Sequence, residues 1–324
     1  MSLTVVIFVV GLSLGAAAQA SPASPEAPLG GRPAAMGNAY TSLALDGYAP
    51  IWNPAALSYL RSPSAAALHA SAAGSASRQL ISVTFPLMLG HGGGIGVDVS
   101  SALASFAAAY GVRVAKRWAI GAAGRVLSAQ AAGQRKSGLA VDLASLYRFD
   151  DKLAVGAAAS TLGGRPGALS GIEAIKPQVR LGASYSPVRW FTYALEGVSD
   201  RGAGTAVRTG LEATVFDVFS ARRGVDTGIE GCTALGMTAG LGLWFRGQCL
   251  VFAVVPKGTA TIQQVSLLMR FGRGPESVTA APKAAATARP RKILDFHLPA
   301  STASVSGFIS EGPGAEWGRP RLPE

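Results

Sequence analysis

The chain has little of what enzymes spend on chemistry. It carries three histidines and two cysteines in 324 residues. His69, His91 and His297 lie far apart in sequence, and neither they nor Cys232 and Cys249 fall at metal-ligand spacing or beside a nucleophile. No catalytic residue, metal ligand or cofactor is assigned, and the chain is read as a non-enzyme. The one phosphate-loop mimic, Gly90–Gly96 (GHGGGIG), lacks the Lys-Ser/Thr ending and is not followed by a helical pattern. Charge is also sparse, at 15% of residues. The formal net charge of +11 invites a nucleic-acid partner, but the arginines sit singly within apolar stretches instead of clustering on a solvated face. Nucleic acid is therefore excluded. Long hydrophobic runs are missing too. The longest, Leu3–Leu14, falls short of the roughly 20 residues a spanning helix needs. It precedes Ala18-Gln19-Ala20, a small-x-small cleavage site, so residues 1–20 read as a signal peptide cleaved near Ala20. Residues 21–30 are a Pro-rich linker.

What is abundant is glycine, 41 residues, and apolar side chains, 49%. From residue 65 to 272 they follow a period of two. Val179, Leu181, Ala183 and Tyr185 oppose Gln178, Arg180, Gly182 and Ser184. Ile95, Val97 and Val99 oppose Gly96, Asp98 and Ser100. Val207, Leu211 and Val215 oppose Arg208, Gly210, Glu212 and Thr214. Alternation of this kind makes strands with one apolar and one polar face. About fourteen such segments of near ten residues follow one another: 65–75, 78–88, 92–103, 105–116, 117–130, 137–149, 152–162, 177–187, 190–199, 205–216, 217–224, 237–246, 248–256 and 262–271. Tight connections alternate with longer ones, and aromatics gather near strand ends (Tyr147, Phe149, Trp190, Phe191, Phe245, Phe271). The expected fold is an all-β transmembrane antiparallel barrel of about fourteen strands, with both termini on the short-turn side and outer-membrane lipid around it. A secreted soluble β protein is the alternative outside the membrane class.

Charges on a lipid-facing surface near mid-membrane cost about 2–4 kcal/mol for Arg or Lys. Asp98, Arg113, Arg125, Asp142, Arg180, Glu196, Arg208, Glu212 and Arg270 are therefore expected in the lumen, as a mixed-sign network and not a selectivity ring of one sign. A disulfide between Cys232 and Cys249 is not expected. The topology puts them at opposite rims, on the order of 25 Å apart, and a disulfide needs Cα atoms within about 7 Å.

Residues 31–64 break the alternation. GRPAAMGNAYTSLALDGYAPIWNPAALSYL reads as short helical turns interrupted at Pro50 and Pro54, packed inside the barrel as a plug. Asp46, Tyr48, Trp52, Asn53 and Pro54 are its candidate plug and gate residues, with Asp46 expected to pair with one of the lumen arginines. Residues 273–324 are rich in Pro and Ala and read as a disordered tail.

Gly37, Asp46 and the run Trp52-Asn53-Pro54-Ala55-Ala56-Leu57 resemble the N-terminal signature of the PorV/PorQ (UPF0164-like) outer-membrane proteins, related to FadL-type transport barrels. The closing text, TAGLGLWF and QQVSLLMRFG, is similar as well. The resemblance spans about residues 31–272. It implies a fourteen-stranded barrel in the cell outer membrane and FadL-like passage of small hydrophobic or amphipathic solutes. The alternative it implies is a non-conducting PorV-type scaffold or shuttle for type IX secretion, whose outer loops, 163–176 and 225–236, hold a secreted or periplasmic protein partner. The tail beyond Phe271 departs from the family, whose barrels end near that aromatic.

Overall fold

The computed structural model describes residues 29–72, 77–100, 103–131, 134–162, 177–200, 204–227, 236–257 and 260–272. Fourteen strands form one closed antiparallel barrel. They are β1 (Ser64–Ala72), β2 (Arg78–Met88), β3 (His91–Ser100), β4 (Leu103–Ala115), β5 (Trp118–Ala131), β6 (Gln134–Arg148) and β7 (Leu153–Leu162) in the first half. The second half holds β8 (Gln178–Val188), β9 (Phe191–Asp200), β10 (Gly204–Val215), β11 (Phe219–Asp226), β12 (Gly236–Phe245), β13 (Gln248–Lys257) and β14 (Ala260–Arg270). Each strand pairs with its sequence neighbours, and β14 closes on β1 with Ala67 opposite Leu267. Closure leaves no unpaired edge, which a sheet in lipid must avoid.

The alternation sets the two surfaces. Val179, Leu181, Leu195, Val207 and Leu211 are exposed on the outside, while Arg180, Glu196 and Glu212 on the same strands are buried. This apolar outer belt is the surface a transmembrane barrel presents to hydrocarbon. Outward aromatics collect at the short-turn rim, where Trp118, Tyr147, Phe149, Trp190, Phe219, Phe245 and Phe271 are all exposed. Among the described residues no helix is long and apolar enough to cross a membrane.

The inner face departs from expectation in one sector. The alternation predicts a polar inner face throughout, yet on β13, β14, β1 and β2 the inward residues include Val251, Ala253, Val255, Ile262, Leu268, Ala66, Leu68, Ala70 and Leu80, all buried in one cluster. The plug supplies the other half of that cluster with Ala34, Ala35, Tyr40, Ala44, Tyr48 and Trp52. Apolar plug side chains need an apolar wall, and that requirement overrides the usual polar interior.

The plug itself comprises helix α1 (Gly31–Ala35), helix α2 (Ala49–Trp52) and a 3-10 turn over Pro54–Tyr59. The two prolines do not break these turns; they open them. Pro50 lies in the first turn of α2 and Pro54 begins the 3-10 turn, where the missing N–H has no intrahelical acceptor to lose. Asn53 joins the two, its side-chain carbonyl accepting from the Ala55 N–H at 3.0 Å. Cys249 is a free, buried thiol; Cys232, the loop 163–176, the signal peptide, the linker to residue 28 and the 273–324 tail lie outside the described residues. The loop expected from residue 225 begins later, because β11 continues through Asp226.

Candidate functional site: the plugged lumen

Glycines on the inner wall set how closely the plug approaches. A Cβ at Gly111 would meet the Pro54 carbonyl, one at Gly121 the Ala55 amide, one at Gly210 the Met36 carbonyl and one at Gly224 the Gly37 amide. A Cβ at Gly156 would lie 2.7 Å from the Thr41 carbonyl oxygen. Backbone thus packs on backbone around much of the circumference, a contact only glycine permits.

Charge then fixes the plug's register. Arg32 on α1 donates through Nε and Nη2 to the two Glu212 oxygens at 2.9 and 3.0 Å. Its Nη1 reaches the Tyr40 hydroxyl at 3.1 Å and Asp46 at 3.4 Å. The Tyr40 hydroxyl donates to the same Asp46 oxygen, and the Tyr48 amide donates to the other at 3.0 Å. Arg222 on β11 donates to Glu212 from the far side. Asp46 therefore pairs with the plug's own Arg32, and not with a wall arginine as its sequence position suggested. The charged link from plug to wall has the opposite polarity to the expected one, with a plug cation against a wall carboxylate. Both side chains are buried, so the bidentate geometry and the further donors must offset their desolvation.

Most of the other expected charges meet the plug or another wall charge. Glu196 accepts from the Tyr40 and Thr41 amides at 3.0 and 2.8 Å and faces Arg208 at 3.8 Å. Arg208 pairs with Asp226 at 2.9 Å, which also accepts from Asn38 at 3.0 Å. Arg125 pairs with Asp142 at 2.7 Å, and Asp98 pairs with Arg78. Arg180 donates to the Trp52 carbonyl at 3.1 Å and stacks over the Trp52 ring at 5.0 Å. Arg113 donates to the Ser58 carbonyl at 2.9 Å and stacks on Tyr59 at 4.4 Å. Two wall arginines thus satisfy carbonyls at the C-terminal ends of α2 and the 3-10 turn, where backbone acceptors lack intrahelical donors. Arg270 lies over the Trp244 ring at 5.8 Å.

Of the plug residues, the Trp52 indole donates to the Leu29 carbonyl at 2.8 Å, and Tyr48 and Pro54 are buried. The Asn53 amide donates to the Thr41 and Ser145 carbonyls at 2.8 and 3.3 Å, tying plug to wall. Tyr40 stacks edge-on against Tyr48 and Trp52, at 6.5 and 5.7 Å between centroids. Arg32, Asn38, Arg78, Arg222 and Asp226 are participants that the sequence reading did not name. Arg222 and Asp226 were legible in the alternation Ser220, Arg222, Gly224, Asp226 against Phe219, Ala221, Arg223, Val225, and Arg78 likewise shares parity with Leu80, Ser82 and Thr84. Arg32 and Asn38 carry no such signal, since the plug has no period.

Up to residue 60 the plug side chains that stay partly exposed are Leu29, Leu43, Leu45, Ile51, Tyr59 and Leu60; Arg61 and Pro63 are exposed and Ser62 partly so where the plug runs into β1. Leu43, Leu45 and Ile51 thus present partly exposed aliphatic surface. Among the described residues no group of three or more His, Cys, Asp or Glu could hold a metal ion.

No protein-family model matches the chain and no curated protein matches it. Solved structures do. The CymD monoaromatic hydrocarbon channel aligns with TM-score 0.56 at 10% identity, over 76% of this chain and 98% of its own. A TodX monoaromatic hydrocarbon channel deltaS2 mutant gives 0.55 at 11%, over 75% and 99%. The P. putida toluene transporter TodX gives 0.53 at 12%, over 76% and 99%. This chain has their barrel fold. At such identities the likeness concerns the path of the backbone, and the side chains above are this protein's own.

Proposed function

We propose that the protein is an outer-membrane barrel that passes small hydrophobic or amphipathic solutes, with residues 31–64 as its lumenal plug and gate. The observation that carries this reading is the chemistry of the plug's accessible surface. In this reading a solute in the lumen meets Leu43, Leu45 and Ile51, which stay partly exposed, while most lumen charges are turned to one another or to the plug backbone. An apolar solute loses water against that aliphatic surface without having to break the charge pairs. The hydrocarbon channels that share the fold support the same solute class. In this reading Trp52 and Tyr48, stacked on Tyr40, hold the gate closed, and signal-peptide cleavage near Ala20 delivers the chain to the outer membrane.

The second reading is a non-conducting scaffold or shuttle for secreted proteins, of PorV type. It rests on the N-terminal motif and on the glycine-lined contact, which presses plug backbone directly onto the wall. Uptake of a monoaromatic hydrocarbon into proteoliposomes, together with planar-bilayer conductance, separates the two. Solute entry by the full chain, enlarged on deletion of residues 31–60, supports the channel. A folded barrel that neither conducts nor admits the solute overturns it and leaves the scaffold.

A further inference from the structure

The short turns carry a second pattern that solute passage does not use. Three of them set an exposed arginine next to an exposed outward aromatic: Arg117 with Trp118, Arg189 with Trp190, and Arg246 with Phe245. Arg246 also stacks over the Phe245 ring at 5.2 Å. Lys116 and Lys152 lie exposed in the same set of turns. By count, these five cations outnumber the three carboxylates of the same turns, Asp150, Asp151 and Asp217. Asp150 accepts from the Lys152 and Leu153 amides of its own turn, both at 2.7 Å. Asp151 faces Arg148 at 3.6 Å.

Resting on the membrane-barrel reading, we propose that the short-turn rim binds anionic glycerophospholipid, with a separate headgroup phosphate at each of Arg117, Arg189 and Arg246, which sit on three different turns. The spacing suits that ligand. Exposed tryptophan and phenylalanine rings settle at the interface between hydrocarbon and headgroup. A guanidinium one residue beyond the ring, on the turn, then lies at the depth of the phosphates and presents a planar fork of donors to them. A zwitterionic headgroup returns its own ammonium to the site and cancels the gain. A rim so charged also fixes which way the barrel faces and how deep it sits. Each cation near an anionic lipid surface strengthens partition about fivefold at low salt.

The test uses the full chain in nanodiscs made from phosphatidylglycerol and phosphatidylethanolamine with the same acyl chains. Retained lipid is counted by native mass spectrometry. The expected result is enrichment of phosphatidylglycerol by at least about tenfold, falling as salt screens the rim. A variant carrying Arg117→Gln, Arg189→Gln and Arg246→Gln should bring enrichment to within about twofold, and the three lysine substitutions should keep part of it. If the triple variant does not fold, as judged by its migration on unheated gels, the three single variants and the salt series on the unaltered chain decide. No preference for the anionic lipid, or a preference indifferent to salt and to the substitutions, overturns the proposal. A barrel that admits hydrocarbon but selects no lipid sinks only this inference. A chain that never partitions into membranes sinks the membrane reading beneath it.

Discussion

Arg32→Met is the sharpest probe of how the plug is held. The substitution keeps the aliphatic stem and removes four donor contacts: two to Glu212, one to Tyr40 and one to Asp46. Breaking one side of a buried ion pair costs about 3–5 kcal/mol, mostly as the desolvation of the abandoned partner. Here the lower end applies, because Glu212 keeps Arg222 and Asp46 keeps the Tyr40 hydroxyl and Tyr48 amide. A cost of about 3 kcal/mol corresponds to roughly a 150-fold shift toward the released plug. Adding Glu212→Gln should cost less than the sum of the two singles, by a coupling of about 2–3 kcal/mol. Urea unfolding in lipid vesicles gives the energies. Conductance gives the location, since release of the plug should raise step frequency while the barrel still migrates as folded. A coupling under about 0.5 kcal/mol, within ordinary additivity, would refute the claim that this pair fastens plug to wall.

Gly121→Val drives a side chain into the Ala55 amide and should lower stability by about 1–3 kcal/mol or more, whereas Gly124→Ala, which meets nothing within 4 Å on the opposite face, should be neutral or better; urea midpoints compare them. Leu181→Arg on the outer belt should cost about 2–4 kcal/mol in lipid vesicles if β8 crosses near mid-bilayer, and a cost near zero would remove that strand from the hydrocarbon. Leu45→Asp should cut uptake of an aromatic hydrocarbon without altering the barrel's gel migration; undiminished uptake would mean that the solute does not touch the plug. Asp150 accepts the Leu153 and Lys152 amides, which hold its carboxyl below the usual range. A depressed pKa stabilises the turn above the unfolded carboxylate value of about 3.9, with loss as pH falls through the folded value. Amide exchange at Lys152 and Leu153 should accelerate only in strong acid, and Asp150→Asn should remove that pH dependence.

The sequence alone settled what repeats. A period of two, sustained over fourteen segments, dictates strands with an apolar and a polar face, and the ends observed lie within three residues of those expected. Keeping charge off the outer face is a local rule with Arg223 on β11 as an exception, so the inward parity of Asp98, Arg180 and Glu212 could be read without knowing any partner. Tertiary structure decided what does not repeat. Nothing in GRPAAM says that Arg32 will meet Glu212, 180 residues away, because that pairing depends on how the plug turns inside a closed wall. Nor does an inward glycine announce what will lie against it; Gly111 and Gly242 share the inward parity, yet a Cβ at one would meet the Pro54 carbonyl of the plug and at the other the Arg222 guanidinium of the wall. The apolar inner sector on β13, β14, β1 and β2 has the same origin. Strand periodicity assigns a residue to a face, and only the object packed on that face determines which side chain it needs.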